Sequence, residues 1–220
     1  MLKISTINVT GGDALEFLQG QLTNDLKSLE PDAEILAAWC NPKGRVIWFG
    51  TVRIIDNGFG LSAHAGTAAD IVKRLGVFRF RSKVEFSIAD EVVEVDPEFL
   101  VQNGYPTIGA SQMEKFTPHM LNFDLLGAIN FDKGCYTGQE IVARTHHKGA
   151  TKRRTLHFES ACPVSEGAKV TVGDRDVGEV LNTHGNDLLA VVPVDKIDDQ
   201  MLVGESKLTY VPLPYLDLTA

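Results

Sequence analysis

From residue 151 onward the sequence changes texture, and that change constrains the fold more than any other feature of the 220 residues. Short apolar runs at 155–158, 169–172, 177–181, 188–192 and 207–211 are separated by turn residues such as Gly, Pro, Asp and Asn. Runs of that length between turn signals read as strands. Five in succession predict a small antiparallel β barrel or sandwich. A boundary falls near residue 152, dividing an α+β region over 1–152 from a C-terminal β unit over 153–220.

Upstream, helix and hairpin signals mix. Thr10-Gly11-Gly12-Asp13 opens a helix in which Leu15, Leu18 and Leu22 recur at helical spacing, with a stop expected near Thr23-Asn24-Asp25. Residues 34–40 and 45–55 read as strands around the turn Asn41-Pro42-Lys43-Gly44. Across that turn Trp39 and Trp48 face each other, as packing or as the wall of a cleft. Asp56-Asn57-Gly58 turns the chain into a short strand at 59–63. A helix over 67–75 follows, with Ile71, Val72 and Leu75 on its apolar side. The alternation at 78–84 predicts a strand with Arg79, Arg81 and Lys83 on one face, and 92–95 predicts another. Helices interspersed with hairpins indicate an α+β region rather than regular βαβ winding.

Composition excludes several classes. No apolar run reaches the ~18–20 residues that span a bilayer, and the first eight residues lack a signal-peptide core. Cys40, Cys135 and Cys162 form no even disulfide set and no Cys-x-x-Cys pair, which predicts a reducing cytoplasm and no membrane partner. A net charge of −8 disfavours general nucleic-acid binding. The charge is uneven: residues 132–154 hold six basic and two acidic side chains, whereas 159–217 hold four basic and eleven acidic. The basic stretch, which includes Arg144, Lys148, Lys152, Arg153 and Arg154, reads as a solvated face or as a collar for a phosphate, a polyglutamate or RNA. His146 and His147 within it have no partner at metal-ligand spacing, so no metal site is expected.

Chemistry concentrates in Lys133-Gly134-Cys135-Tyr136-Thr137-Gly138-Gln139-Glu140. Thr137 and Glu140 have capping-box spacing ahead of Ile141, Val142 and Ala143, predicting a helix start that leaves Cys135 just outside it. Helix N-termini carry partial positive charge, and a thiolate beside one, next to Lys133, gains stability. Gly134 and Gly138 permit close backbone approach or φ > 0. The bland role of Glu140 is the reciprocal cap or an i,i+4 pair with Arg144.

Residues 133–140, continuing through Ile141, Val142, Ala143 and Arg144, resemble the signature of the YgfZ-type folate-binding proteins, which are relatives of the glycine-cleavage T-protein, an aminomethyltransferase. Residues 12–25, 40–45, 81–84, 104–106 and 116–122 and the terminal Leu213-Pro214-Tyr215 agree in order, so the resemblance spans nearly the whole chain. It implies α+β folate-binding lobes with mixed or antiparallel sheets, then a small antiparallel barrel. It implies tetrahydrofolate or a derivative as cofactor, a transient iron–sulfur cluster as a second candidate, and a role in assembling or repairing clusters in client enzymes, including tRNA-modifying ones. Cys135 is the implied functional thiol. Asn24, Lys133, Gly134, Tyr136, Gly138, Gln139, Glu140 and Arg144 are the implied folate-side residues, with Asn24 or Gln139 reading ring edges. Direct tRNA contact through the basic stretch is a further candidate. Where aminomethyltransferases carry a pair of aspartates after this turn, Trp48 and Phe49 stand here, as expected for the non-enzymatic branch. The alternative is a one-carbon transferase using Cys135. The central lobe, between about Val95 and Leu100, is shorter than in typical members.

Overall fold

The computed structural model describes residues 1–148, 151–216 and 218. In chain order, β1 (Leu2–Thr10) leads to α1 (Ala14–Gln19), and β2 (Glu34–Cys40), β3 (Val46–Ile55) and β4 (Gly58–His64) form a meander. Then come α2 (Ala68–Val77), β5 (Glu85–Val95), α3 (Pro97–Gln102) and α4 (Gln139–Lys148). The last part is all strand: β6 (Arg153–Ser160), β7 (Lys169–Val172), β8 (Arg175–His184), β9 (Asp187–Pro193), β10 (Met201–Val203) and β11 (Ser206–Val211). The first five strands form one antiparallel sheet in the order β2-β3-β4-β1-β5. The last six close into an antiparallel barrel, β10-β11-β6-β9-β8-β7.

Alternation sets the two faces of the sheet. Ile7 and Val9 of β1, with Trp39, Trp48, Val52 and Leu61, meet Phe17 and Leu18 of α1 and Ile71 and Leu75 of α2 in a closed core. Trp39 and Trp48 pair in register and are buried on this helical side, so they pack the core and do not wall a cleft. The barrel holds its own core, including Leu156, Phe158, Val180, Leu188 and Val192. A third core joins the two parts through Cys40, Val46, Leu121, Phe123, Val142, Leu181 and Leu213.

Two expectations need correction. Residues 78–84 are not a strand. They form turns after α2, closed by Ser82 N–H to Arg79 O (2.8 Å), with Phe80 at φ +42°. Phe78 is instead committed edge-on to Trp39, and Val84 to the core, so the periodic apolar residues anchor a loop. The first helix ends at Gln19, short of Thr23, because Thr23 is taken by β2: its N–H donates to Ala38 O (2.9 Å), and its hydroxyl oxygen accepts from Ala38 N–H (2.8 Å).

Candidate functional site

Cys135 sits on a loop that is tied down from below. Asn130 Oδ1 accepts the N–H groups of Asp132 and Lys133, both at 2.9 Å. The Lys133 side chain then turns inward, and its ammonium donates to the carbonyls of Gln19 (2.9 Å), Leu22 (2.7 Å) and Asn24 (2.8 Å). Three donors meet three acceptors, the full capacity of an ammonium. Lys133 Nζ also lies 5.3 Å from the centre of the Tyr136 ring. Burial pulls Lys133 down to about 8, with Asp25 opposing the fall. The three carbonyls favour the charged form, so the ammonium persists at neutral pH. Burial raises the Tyr136 phenol well above its usual value. Thr137 adds two ties, from its N–H to Gly20 O (3.2 Å) and from its hydroxyl to Gln21 Oε1 (3.2 Å).

On this base Gly134 and Cys135 are exposed. Cys135 lines a shallow, open depression of about 520 Å³ with Pro42, Tyr136, Thr137, Gly138, Gln139, Glu140 and Ala143. The capping box is not formed. Thr137 spends its hydroxyl on Gln21, α4 begins at Gln139, and Glu140 pairs with Arg144 on the exposed face of the helix. Gly138 at φ +84° makes the join, packed on the turn that follows β2. A Cβ there would lie 2.5 Å from Asn41 O and 3.1 Å from Cys40 Cβ. Gly138→Ala is therefore expected to cost about 2 kcal/mol through strain and backbone displacement. A urea-denaturation midpoint matching the wild type would contradict that close fit.

The structure gathers Lys133, Gly134, Cys135, Tyr136, Gly138, Gln139, Glu140 and Arg144 along one loop and helix but gives them different work. Lys133 and Tyr136 are buried supports. Asn24 is not free to read a ring edge: its amide nitrogen donates to Leu36 O (2.8 Å) and Gly127 O (2.9 Å), and its Oδ1 accepts from Asp25 N–H. The basic stretch is not one collar either. Arg144 pairs with Glu140, and Arg154 makes a two-pronged pair with Asp124 at 2.9 and 3.0 Å. Arg153 donates to Val177 O. Residues 149–150, and the side chain of Lys148, lie outside the described residues. Among the described residues no group of three His, Cys, Asp or Glu side chains has metal-binding geometry.

His146 stacks on Phe131 (3.8 Å) and lies 6.3 Å from the ring of His119. His119 is buried, and neither ring nitrogen has a partner. Burial holds its pKa below the ordinary 6.5; Asp124 opposes the shift, while Arg154 and His146 reinforce it. Below that value the unfolded chain takes up a proton that the folded chain refuses. Stability therefore falls as the pH drops, by at most one proton's worth, about 1.4 kcal/mol per pH unit. Urea midpoints measured from about pH 7.5 to 5 should show this slope, and His119→Phe should flatten it.

A second space lies apart from the thiol loop. The face of the sheet opposite the helices floors a cavity of about 380 Å³, roofed by Leu100, Tyr105, Pro106, Thr107 and Ile108. Its floor carries Ile4 and Thr6 of β1, Leu36 of β2, Phe49, Thr51 and Arg53 of β3, Ser62 and His64 of β4, and Val93 of β5. None of the folate-side residues implied by the resemblance lines it, whereas Phe49, Tyr105 and Pro106 do. The available signal was the second face of the hairpins, where Gly50, Gly60 and Ser62 leave room and Thr6, Thr51 and Arg53 alternate with core residues. On β2, Leu36 at the cavity and Cys40 at the thiol end are separated by roughly 13 Å of strand. Asn24 donates to Leu36 O beside the cavity and, through its own carbonyl, accepts from Lys133 beneath the thiol loop.

Residues 152–215 match the family described as CAF17, C-terminal beta-barrel domain. Over 249 aligned positions the chain is 28% identical to the tRNA-modifying protein YgfZ of Hamiltonella defensa subsp. Acyrthosiphon pisum, covering 80% of this chain and 70% of that one. Identity to the YgfZ of Yersinia enterocolitica is 26%, covering 95% of this chain and 89% of the other. The chain is similar to the YgfZ-type proteins over most of its length. Its alignment to the Yersinia relative runs over 300 positions, so that YgfZ carries stretches with no counterpart in these 220 residues. The aminomethyltransferase T of the glycine cleavage system from Bartonella henselae superposes with a TM-score of 0.71 at 16% identity, covering 97% of this chain and 84% of the other. The chain thus has a T-protein-like α+β fold ending in a closed antiparallel barrel. None of its described helices is long and apolar enough to cross a membrane.

Proposed function

We propose that this YgfZ-type chain is a cytoplasmic tetrahydrofolate-binding accessory factor for assembly or repair of iron–sulfur clusters in client enzymes, including tRNA-modifying ones, with Cys135 as its functional thiol. One observation carries the reading. The cysteine of the family's signature segment is exposed on a loop whose other conspicuous members, Lys133 and Tyr136, are spent on holding it in place. That is a mount for a group used at the surface. The iron–sulfur part rests on the resemblance of residues 133–140 to the family signature.

The folate part draws support from the cavity. A volume of about 380 Å³ lies in the range of small-molecule sites. Ile4, Leu36, Phe49, Val93 and Tyr105 offer apolar walls to flat rings, and Thr6, Thr51, Arg53, Ser62 and His64 offer polar edges. A Cβ at Gly60 would come within 3.1 Å of Thr6 Cγ2 and narrow the floor. At the place where aminomethyltransferases carry aspartates, Trp48 is sunk in the helical core, and Phe49 stacks on Phe123 at 4.0 Å. That part of the wall suits holding a ring better than moving a proton.

Calorimetry with tetrahydrofolate tests the reading. Wild type and Cys135→Ala should bind alike, and Thr6→Trp, which pushes an indole into the cavity, should bind at least tenfold more weakly, or about 1.4 kcal/mol. No heat from the wild type at millimolar ligand would remove the folate half. A Thr6→Trp variant that binds like wild type would move the site out of this cavity.

A further inference from the structure

Among the described residues the sheet ends on one side at β5, which hydrogen-bonds to β1 alone. At 11 residues β5 is the longest strand of the sheet, and its outer edge presents unpaired backbone N–H and C=O groups. Its charge is one-sided: Glu85, Asp90, Glu91 and Glu94 are all exposed, and no Lys or Arg occurs within it. Among the described residues none of these carboxylates takes part in an ion pair. Between them Ile88, Val92 and Val93 are 39%, 44% and 52% exposed. A register shift against β1, where Ser5 pairs with Val92 and Ile7 with Ile88, sets Asp90 and Glu91 at the centre of the edge.

We propose that the outer edge of β5 is a docking strand for an extended, basic segment of a partner protein, which adds to the sheet as a sixth strand. Main-chain bonds supply the affinity, and the four carboxylates select Lys and Arg on the incoming strand. Charged side chains, a bulge or a short strand guard an edge against unselective pairing. This one is long and keeps β-branched residues exposed beside its acids. A second copy is the wrong occupant, because two β5 edges would oppose carboxylate to carboxylate. RNA is wrong for the same reason of sign. Val93 and Val95 also line the sheet-face cavity, so a partner held on β5 stands at its rim.

Fluorescence anisotropy with a labelled ten-residue peptide alternating Lys with Val and Thr is the test. Three comparators accompany it: the same peptide N-methylated at alternate residues, a Glu-for-Lys peptide, and the full chain carrying Glu91→Lys and Glu94→Lys. The Lys peptide should bind the wild type, and each comparator should weaken binding at least tenfold, with the variant's melting temperature unchanged. Ile88→Ser with Val92→Ser, which keeps every charge, should also weaken it. Binding that survives N-methylation would mean charge attraction without strand addition and would overturn the proposal. So would no binding of the Lys peptide, or light scattering showing a wild-type dimer that the double charge reversal abolishes.

Discussion

Replacing Lys133 by Met should lower the stability of the chain by about 4 kcal/mol, because three buried carbonyls lose their common donor and the isosteric side chain offers nothing in return. The carbonyls of Gln19, Leu22 and Asn24 converge on one ammonium at 2.7–2.9 Å, and Lys133 itself is buried. In a chain of this size that loss corresponds to a melting temperature lower by roughly 8–16 °C. Lys133→Arg keeps the charge, but its planar fork does not match three converging acceptors, so it should recover only part of the loss. A second readout separates this from general weakening. With the tie gone, the loop loses its anchor to the first helix, and maleimide labelling of Cys135 well below the melting transition should speed up. A Met variant that melts within about 1 °C of wild type would show that the ammonium is not the clamp.

That clamp also shows where the sequence stops being readable. β2 begins and ends at Glu34 and Cys40, as its alternation and the Asn41-Pro42-Lys43-Gly44 turn indicate, because both signals are local. The barrel runs were legible for the same reason: each strand carries its own period and its own turn. In the sequence, adjacency alone marks Lys133 as a neighbour of the thiol. Its true partners lie 109 to 114 residues earlier, and no local pattern encodes them. Thr137 and Glu140 have the spacing of a capping box, yet Gln21, 116 residues away, takes the Thr137 hydroxyl. At 78–84 the alternation was real, but Trp39 claimed Phe78, and α2 ran on to Val77. The cavity depends on which sheet face the helices leave bare, and strand period alone does not decide that.

Cys135→Ala should abolish function while leaving the protein intact. The side chain is exposed on a loop held by its neighbours, so its removal should change stability by no more than about 0.5 kcal/mol. In a strain lacking this protein, the wild-type chain should restore activity of a dependent iron–sulfur enzyme. The Ala variant should restore at most about a tenth of it, the size expected when a required functional group is lost. The other two cysteines supply the controls. Cys40 is fully buried in the core that joins the lobe to the barrel, and burial pushes its thiol up to about 12, so it should resist alkylation in the folded chain. Cys162 is exposed at the end of β6, where its N–H and C=O already bond Ser206 and Ser160. Cys162→Ala should therefore leave both stability and rescue unchanged, and in that background a maleimide should label Cys135 alone and block rescue-competent protein in step with labelling. Full rescue by Cys135→Ala would end the thiol half of the reading. The folate half would still stand or fall on the cavity, because Cys135 does not line it and its loss should not alter binding there.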